Sequence, residues 1–169
     1  MMKIFTDIKL ILTDKILKEL IKCNRNALPI EACGLIFGEV KSVQISEYDY
    51  HINYIGSKFY CLKSNIESTG SFDLISDTDR YFEIHQEAVE QKNLRLISIF
   101  HSHPAKAYPS AIDLNNMKFL DKNIGEKRNP FKNQIWTIMD MNNEELNAFI
   151  YYNKKLLQID LQIQKTEKK

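Results

Sequence analysis

The apolar runs of this chain are short. Runs such as CGLIF (Cys33–Phe37) and LISIF (Leu96–Phe100) have the length of core strands and fall far below the ~20 residues a membrane-spanning helix needs. A chain of 169 residues whose apolar content comes in such pieces must pack strands and amphipathic helices around one core, since that length is ample for one domain and short for two. The expected domain covers residues 1–163, followed by a polar tail over 164–169 expected to be disordered. The start, MMKIFTDIKLILTDK, is interrupted by acidic residues and lacks a small-residue cleavage site, so no leader is read there and the cytoplasm is the expected compartment. Charge points the same way: 23 Lys+Arg against 22 Asp+Glu, interspersed, form neither a basic stripe nor an acidic block. Neither nucleic acid nor membrane is an expected partner.

Thr13 and Asp14 set up an N-cap before KILKELIKCNRN, whose apolar residues recur at helical spacing, and the helix should stop near Ala27-Leu28-Pro29. ACGLIFGEV then reads as a buried strand, SVQISEYDYHINYI as a longer alternating strand and KFYCLK as another, in a meander. The polar stretch from Leu62 to Asp79 has no sustained period and reads as a long irregular connection, of the kind that tends to be functional or disordered. A helix follows from Thr78-Asp79, with Tyr81, Ile84 and Val89 roughly on one side. LRLISIF is then a buried strand leading straight into His101. SAIDLNNMKFLDKN reads as a helix, NQIWTIMDM and LNAFIYYN as a hairpin around Asn142-Asn143, and KLLQIDLQI as a last strand. The fold class is α/β in the α+β sense, a mixed sheet with flanking helices.

Two of the four histidines sit in one short stretch, FHSHPAKAYPSAID. In an extended backbone residues i and i+2 face the same way, so His101 and His103 can reach one ion. Pro104 ends the strand, and a helix restarting at Ser110 can bring Asp113, on its first turn, back towards them. Two nitrogens and a carboxylate oxygen make a three-ligand zinc site with an open fourth position, the catalytic rather than the structural arrangement. Zinc brings the pKa of a coordinated water down to about 7, but attack on an amide also needs a base that takes the proton and passes it to the leaving amine. Glu31, just before the buried strand, is the candidate base, with Glu39 at the far end of that strand as its rival. Ser110 is placed to donate a hydrogen bond to an oxyanion.

Each piece has a plainer reading. Ser110-x-x-Asp113 is also a helix capping box, and an isolated His-x-His is usually a pair of strand-end residues; the combination with Glu31 outweighs both. His51 and His85 have no partners at ligand spacing and read as structural. Cys23, Cys33 and Cys61 are an odd number without the paired spacing of a zinc knuckle or a disulfide framework, so reduced thiols are expected. A Cys33 nucleophile using His101 as base is set aside, because an apolar run raises a thiol's pKa. Ser102 alternates away from the two histidines and should hydrogen-bond or pack behind them.

EACGLIFG followed far downstream by HSHP and PSAID resembles the JAMM (MPN-plus) zinc metalloproteases, whose signature is a glutamate, then His-x-His-Pro, then Ser-x-x-Asp. The likeness runs from about Leu10 to Ile163 and implies a single MPN/JAB-type domain of cytidine-deaminase-like architecture, most similar to stand-alone prokaryotic members. It implies one Zn2+ held by His101, His103 and Asp113, Glu31 rather than Glu39 as general base, and Ser110 as oxyanion donor. The implied activity is hydrolysis of an amide or isopeptide bond after the Gly-Gly tail of a small ubiquitin-like or sulfur-carrier protein. The long connection from Leu62 to Asp79 is then expected to grip that carrier. The alternative is a metal-free MPN-type scaffold that only binds partners. One departure stands out: five residues separate Pro104 from Ser110, where the family usually has one more, so the turn must either tighten the site or displace Ser110 and Asp113.

Overall fold

The computed structural model describes residues 4–62, 78–122 and 132–166. Its elements are β1 (Ile4–Thr13), α1 (Asp14–Ala27), β2 (Cys33–Gln44), β3 (Tyr50–Leu62), α2 (Thr78–His85) running into a π-helical turn (Gln86–Gln91), β4 (Arg95–His103), α3 (Ala111–Leu120), β5 (Ile135–Asp140), β6 (Leu146–Tyr152) and β7 (Lys155–Gln164). The strands form one mixed sheet in the order β1-β3-β2-β4-β5-β6-β7, closed into a barrel. The pairs β1/β3, β1/β7 and β4/β5 are parallel and the others antiparallel. The mixed sheet with flanking helices is as the sequence predicts.

The closure is not, because β1 was not foreseen. Its pattern is nonetheless a half-buried strand: Ile8, Leu10 and Leu12 are buried at every second position. α1 begins where expected, with the Thr13 hydroxyl accepting from the Ile16 N–H at 3.3 Å. It buries Ile16, Leu20 and Cys23 against Leu10, Leu12, Ile36 and Phe100, and a fully buried Leu20 alone is worth roughly 2 kcal/mol. The opposite apolar layer packs Ile84, Ala88 and Met117 of the other helices on Leu35, Phe37, Trp136 and Phe149.

The meander is simpler than expected. SVQISEYDYHINYI is not one strand but the end of β2, a turn over residues 45–49 and the start of β3, and residues 58–62 of KFYCLK continue β3. That turn has no Gly or Pro; it is closed by Ile45 N–H donating to the Asp49 carbonyl at 2.8 Å and by the Ser46 hydroxyl on the Asp49 carboxylate. Gly56, which separates SVQISEYDYHINYI from KFYCLK, is no break between strands but lies at a bulge opposite Gly38. The backbones approach so closely there that a Cβ on Gly38 would lie 1.9 Å from the Ile55 carbonyl oxygen. Gly38→Ala is therefore expected to destabilise the fold by about 2–3 kcal/mol, read as a lower urea midpoint with an unchanged slope.

Two other expectations need correction. Cys23 and Cys61 are not separate thiols but form a disulfide, with Cα atoms 5.9 Å apart. The pairing was invisible to spacing because it is made when the last turns of α1 pack at the end of β3; Cys33 takes no part in it. The tail also starts later than expected: Gln164 is still in β7, and the Thr166 N–H and hydroxyl both bind Asp14. The predicted carrier-gripping connection falls almost entirely on residues 63–77, outside the described residues. No helix of the described residues is long and apolar enough to cross a membrane.

Candidate metal centre

β4 carries the two histidines out of the core. It runs between β2 and β5, with His101 opposite Cys33 on one side and Ile138 on the other, and His103 beside Asp140. Pro104 ends the strand and the chain turns into α3, capped by Ser110. The turn brings all three predicted ligands together. His101 Nε2 and His103 Nε2 lie 3.0 Å apart, and the two Asp113 oxygens lie 3.2 Å from one Nε2 each. Among the described residues this is the one cluster of three side chains able to hold a metal ion. His51 and His85 are not part of it.

These distances fit the ion the sequence implies. Ligand atoms bound to zinc at 2.0–2.1 Å in a tetrahedron are about 3.3 Å from one another, so the three groups need little movement to close on one. The donor set, two imidazole nitrogens and a carboxylate with a fourth position left over, is that of an open zinc site. The rings are held from behind. Trp136 meets His101 edge-on at 5.9 Å, and His103 hydrogen-bonds the Tyr108 backbone. The backbone bond on His103 is the kind of outer contact that fixes which nitrogen would face a metal.

Electrostatics keep the ligands poised. Burial opposes ionisation of Asp113, but hydrogen bonds from His101 and His103, the charge of His101 and the bond to Ser110 outweigh it and hold the carboxyl well below the usual carboxylate range. For His103, burial acts downward, and the hydrogen bond and charge of Asp113, the charge of Glu31 and the Tyr108 backbone together raise its pKa above the ordinary imidazole value.

The capping-box and ligand readings of Ser110-x-x-Asp113 turn out to be compatible. The Ser110 hydroxyl oxygen accepts from the Asp113 N–H at 3.2 Å, and Asp113 Oδ2 accepts from the Ser110 N–H at 2.6 Å. The cap itself aims the carboxylate at the imidazoles. In capping, the Ser110 hydroxyl uses a lone pair and not its proton, and Ser110 is exposed, so it can still donate to a substrate oxygen.

Glu31 lies in the link between α1 and β2, next to the motif strand. The buried Ser102 hydroxyl accepts from the Ala32 N–H at 2.8 Å, and the Ser102 N–H donates to the Ala32 carbonyl at 3.0 Å. Ser102 thus works behind the histidines, as predicted, by pinning the residue after Glu31. The Glu31 charge is felt at His103. Its rival Glu39 is far along β2, half exposed and paired with Lys41 at 2.8 Å.

Comparison with known proteins agrees with this layout. The family model for prokaryotic homologs of the JAB domain matches residues 13–149, most of the chain. None of the curated proteins matches it. The solution structure of protein DSY2949 from Desulfitobacterium hafniense has the same fold, with a TM-score of 0.65 at 19% identity over 93% of this chain and 94% of that one. AF2198, a JAB1/MPN domain protein from Archaeoglobus fulgidus, superposes with a TM-score of 0.48 at 16% identity over 90% of this chain and 96% of that one. With a family model spanning the candidate base, the histidine strand and the capped helix, the chain belongs to the prokaryotic JAB-domain family.

Proposed function

We propose that this protein is a zinc-dependent peptidase or isopeptidase that hydrolyses the amide bond after the Gly-Gly tail of a ubiquitin-like or sulfur-carrier protein. The observation that carries the reading is the convergence of His101, His103 and Asp113 at one point, with the Glu31 charge felt at the same histidine.

His101, His103 and Asp113 would hold the zinc, which when bound lowers the pKa of a water and polarises a carbonyl. Glu31 takes a proton from the water as its oxygen attacks the carbonyl carbon, and returns that proton to the nitrogen as the C–N bond breaks, leaving a carboxylate and a free amine. The Ser110 hydroxyl donates to the oxygen that becomes negative in between. A Gly-Gly tail suits this chemistry, since an extended backbone without side chains can bring its carbonyl closest to a metal held between a strand end and a helix start.

The test is a folded carrier ending in Gly-Gly joined by an amide to a short peptide, followed by mass spectrometry. Release of the carrier cut after Gly-Gly, abolished by a chelator and restored by zinc, is expected. An intact substrate across several carriers in the presence of zinc-loaded protein would overturn the reading in favour of a non-catalytic scaffold.

A further inference from the structure

We propose that Asp140 is a positioning residue for the metal centre, its carboxylate tying the turn after β5 to the shortened turn between Pro104 and Ser110. The inference rests on the zinc-site reading and concerns how this chain holds its ligands in place with one turn residue fewer.

Asp140 ends β5 beside His103, and it is buried. Its Oδ1 accepts from the N–H groups of Asn142 at 2.8 Å and Asn143 at 3.3 Å, which shapes its own turn. Its Oδ2 reaches across and accepts from the Lys106 N–H at 3.0 Å. The three N–H groups hold the carboxyl below its ordinary range, so both oxygens act as acceptors through neutral pH.

The cross-link matters because of where Lys106 sits. It is the second of the five residues between Pro104 and Ser110, and its φ is 71°, a left-handed conformation that costs any residue with a Cβ and persists only where the surroundings hold it. The same region is joined at other points: Met141 N–H donates to the His103 carbonyl at the end of β4 at 2.8 Å, the Asn142 side chain to the Pro104 carbonyl, and the Asn147 side chain, at the start of β6, to the Ala107 carbonyl at 3.2 Å. The next residue, Tyr108, is the one whose backbone binds the His103 ring. The path from Asp140 to the ligand set is thus a short run of hydrogen bonds. The Asp140 turn is braced in its own right, by Arg25 of α1, which grips Glu144 through two hydrogen bonds of 2.7 and 3.1 Å. A clamp fixed on one side can hold a strained turn on the other.

Asp140→Asn separates this role from a general structural one. The amide oxygen can keep the bonds to Asn142 and Asn143, while the amide nitrogen faces the Lys106 N–H with a donor against a donor. The expected result is a metal-free protein that stays folded with a modestly lowered denaturation midpoint, a zinc affinity about tenfold weaker by chelator competition, and an altered absorption spectrum of the Co2+-substituted site. Asn147→Ala, which releases the Ala107 carbonyl, should shift zinc affinity the same way and keeps the test open if Asp140→Asn misfolds. Parent-like zinc affinity and Co2+ spectrum in the folded variants would overturn the inference while leaving the zinc site standing. A parent protein that binds no zinc would overturn the site reading, and the inference with it.

Discussion

Asp113→Ala and His103→Ala should each reduce bound zinc from about one ion per chain to near none, measured by elemental analysis after dialysis. Removing an outer-shell partner already costs roughly 10–100-fold in metal affinity, and removing one of three ligands must cost more. Asp113 needs a second substitution, because its carboxylate also caps α3. Losing a cap costs about 1 kcal/mol, so Asp113→Ala confounds the two roles, whereas Asp113→Asn keeps an acceptor for the Ser110 N–H and weakens only the ligand. Loss of zinc from Asp113→Asn with a parent-like denaturation midpoint would assign the carboxylate to the metal, and full retention in either alanine variant would sink the site.

Acidity adds a check on the same groups. His103 has a raised pKa, so a proton competes with the metal at its nitrogen, and zinc affinity should begin to weaken as pH falls below that pKa, which lies above the ordinary imidazole value of about 6.5, with release at lower pH where the proton outcompetes the metal. Without metal the linkage has the opposite sign. A group titrating higher in the folded state than in the unfolded one stabilises the fold fully below the unfolded pKa, and that contribution is lost as pH rises through the folded value. Metal-free protein should therefore lose stability as pH rises from the ordinary imidazole value of about 6.5 through the raised pKa of His103, while zinc-loaded protein gains it over the same range, as two melting series would read.

The site was more legible in the sequence than the sheet around it. The histidine spacing, the proline, the cap and the order of strand and helix are local facts, and each survives folding: a strand aims i and i+2 to one side, and a capping box turns Asp113 towards the start of its own helix. What failed depended on partners distant in sequence. β1 joins β3 to β7 through parallel pairings, and the alternation of Ile8, Leu10 and Leu12 says only that one face is buried, not where the strand goes. Gly56 punctuates the sequence like a turn, but the close approach of Gly38 and Ile55 makes it a bulge inside a hairpin. The turn over residues 45–49 has neither Gly nor Pro to mark it, only Ser46 and Asp49 inside an alternating run. Cys23 and Cys61 meet only because α1 packs at the end of β3. In the sequence Asp140 stands only as part of the first strand of a hairpin, and its reach to Lys106 appears only once β5 lies beside β4.

Glu31→Gln should leave zinc binding intact and lower turnover on a Gly-Gly-tailed substrate by on the order of 10²-fold or more. The substitution keeps the size and hydrogen-bonding reach of the side chain and removes the basic oxygen. It also leaves untouched the Ala32 and Ser102 bonds that fix the local backbone. What it removes is proton transfer: a metal can make water more acidic but cannot carry the proton to the departing amine, which leaves poorly unless it is protonated. The loss should fall on kcat, since Glu31 is given no part in gripping the carrier. Glu39→Gln serves as the control, because that carboxylate is half exposed, paired with Lys41 and distant along β2 from the histidines. Near-normal activity in Glu31→Gln would remove it from the chemistry, and loss in Glu39→Gln instead would transfer the role. If zinc fell together with activity in Glu31→Gln, the residue would be supporting the ligands rather than relaying the proton.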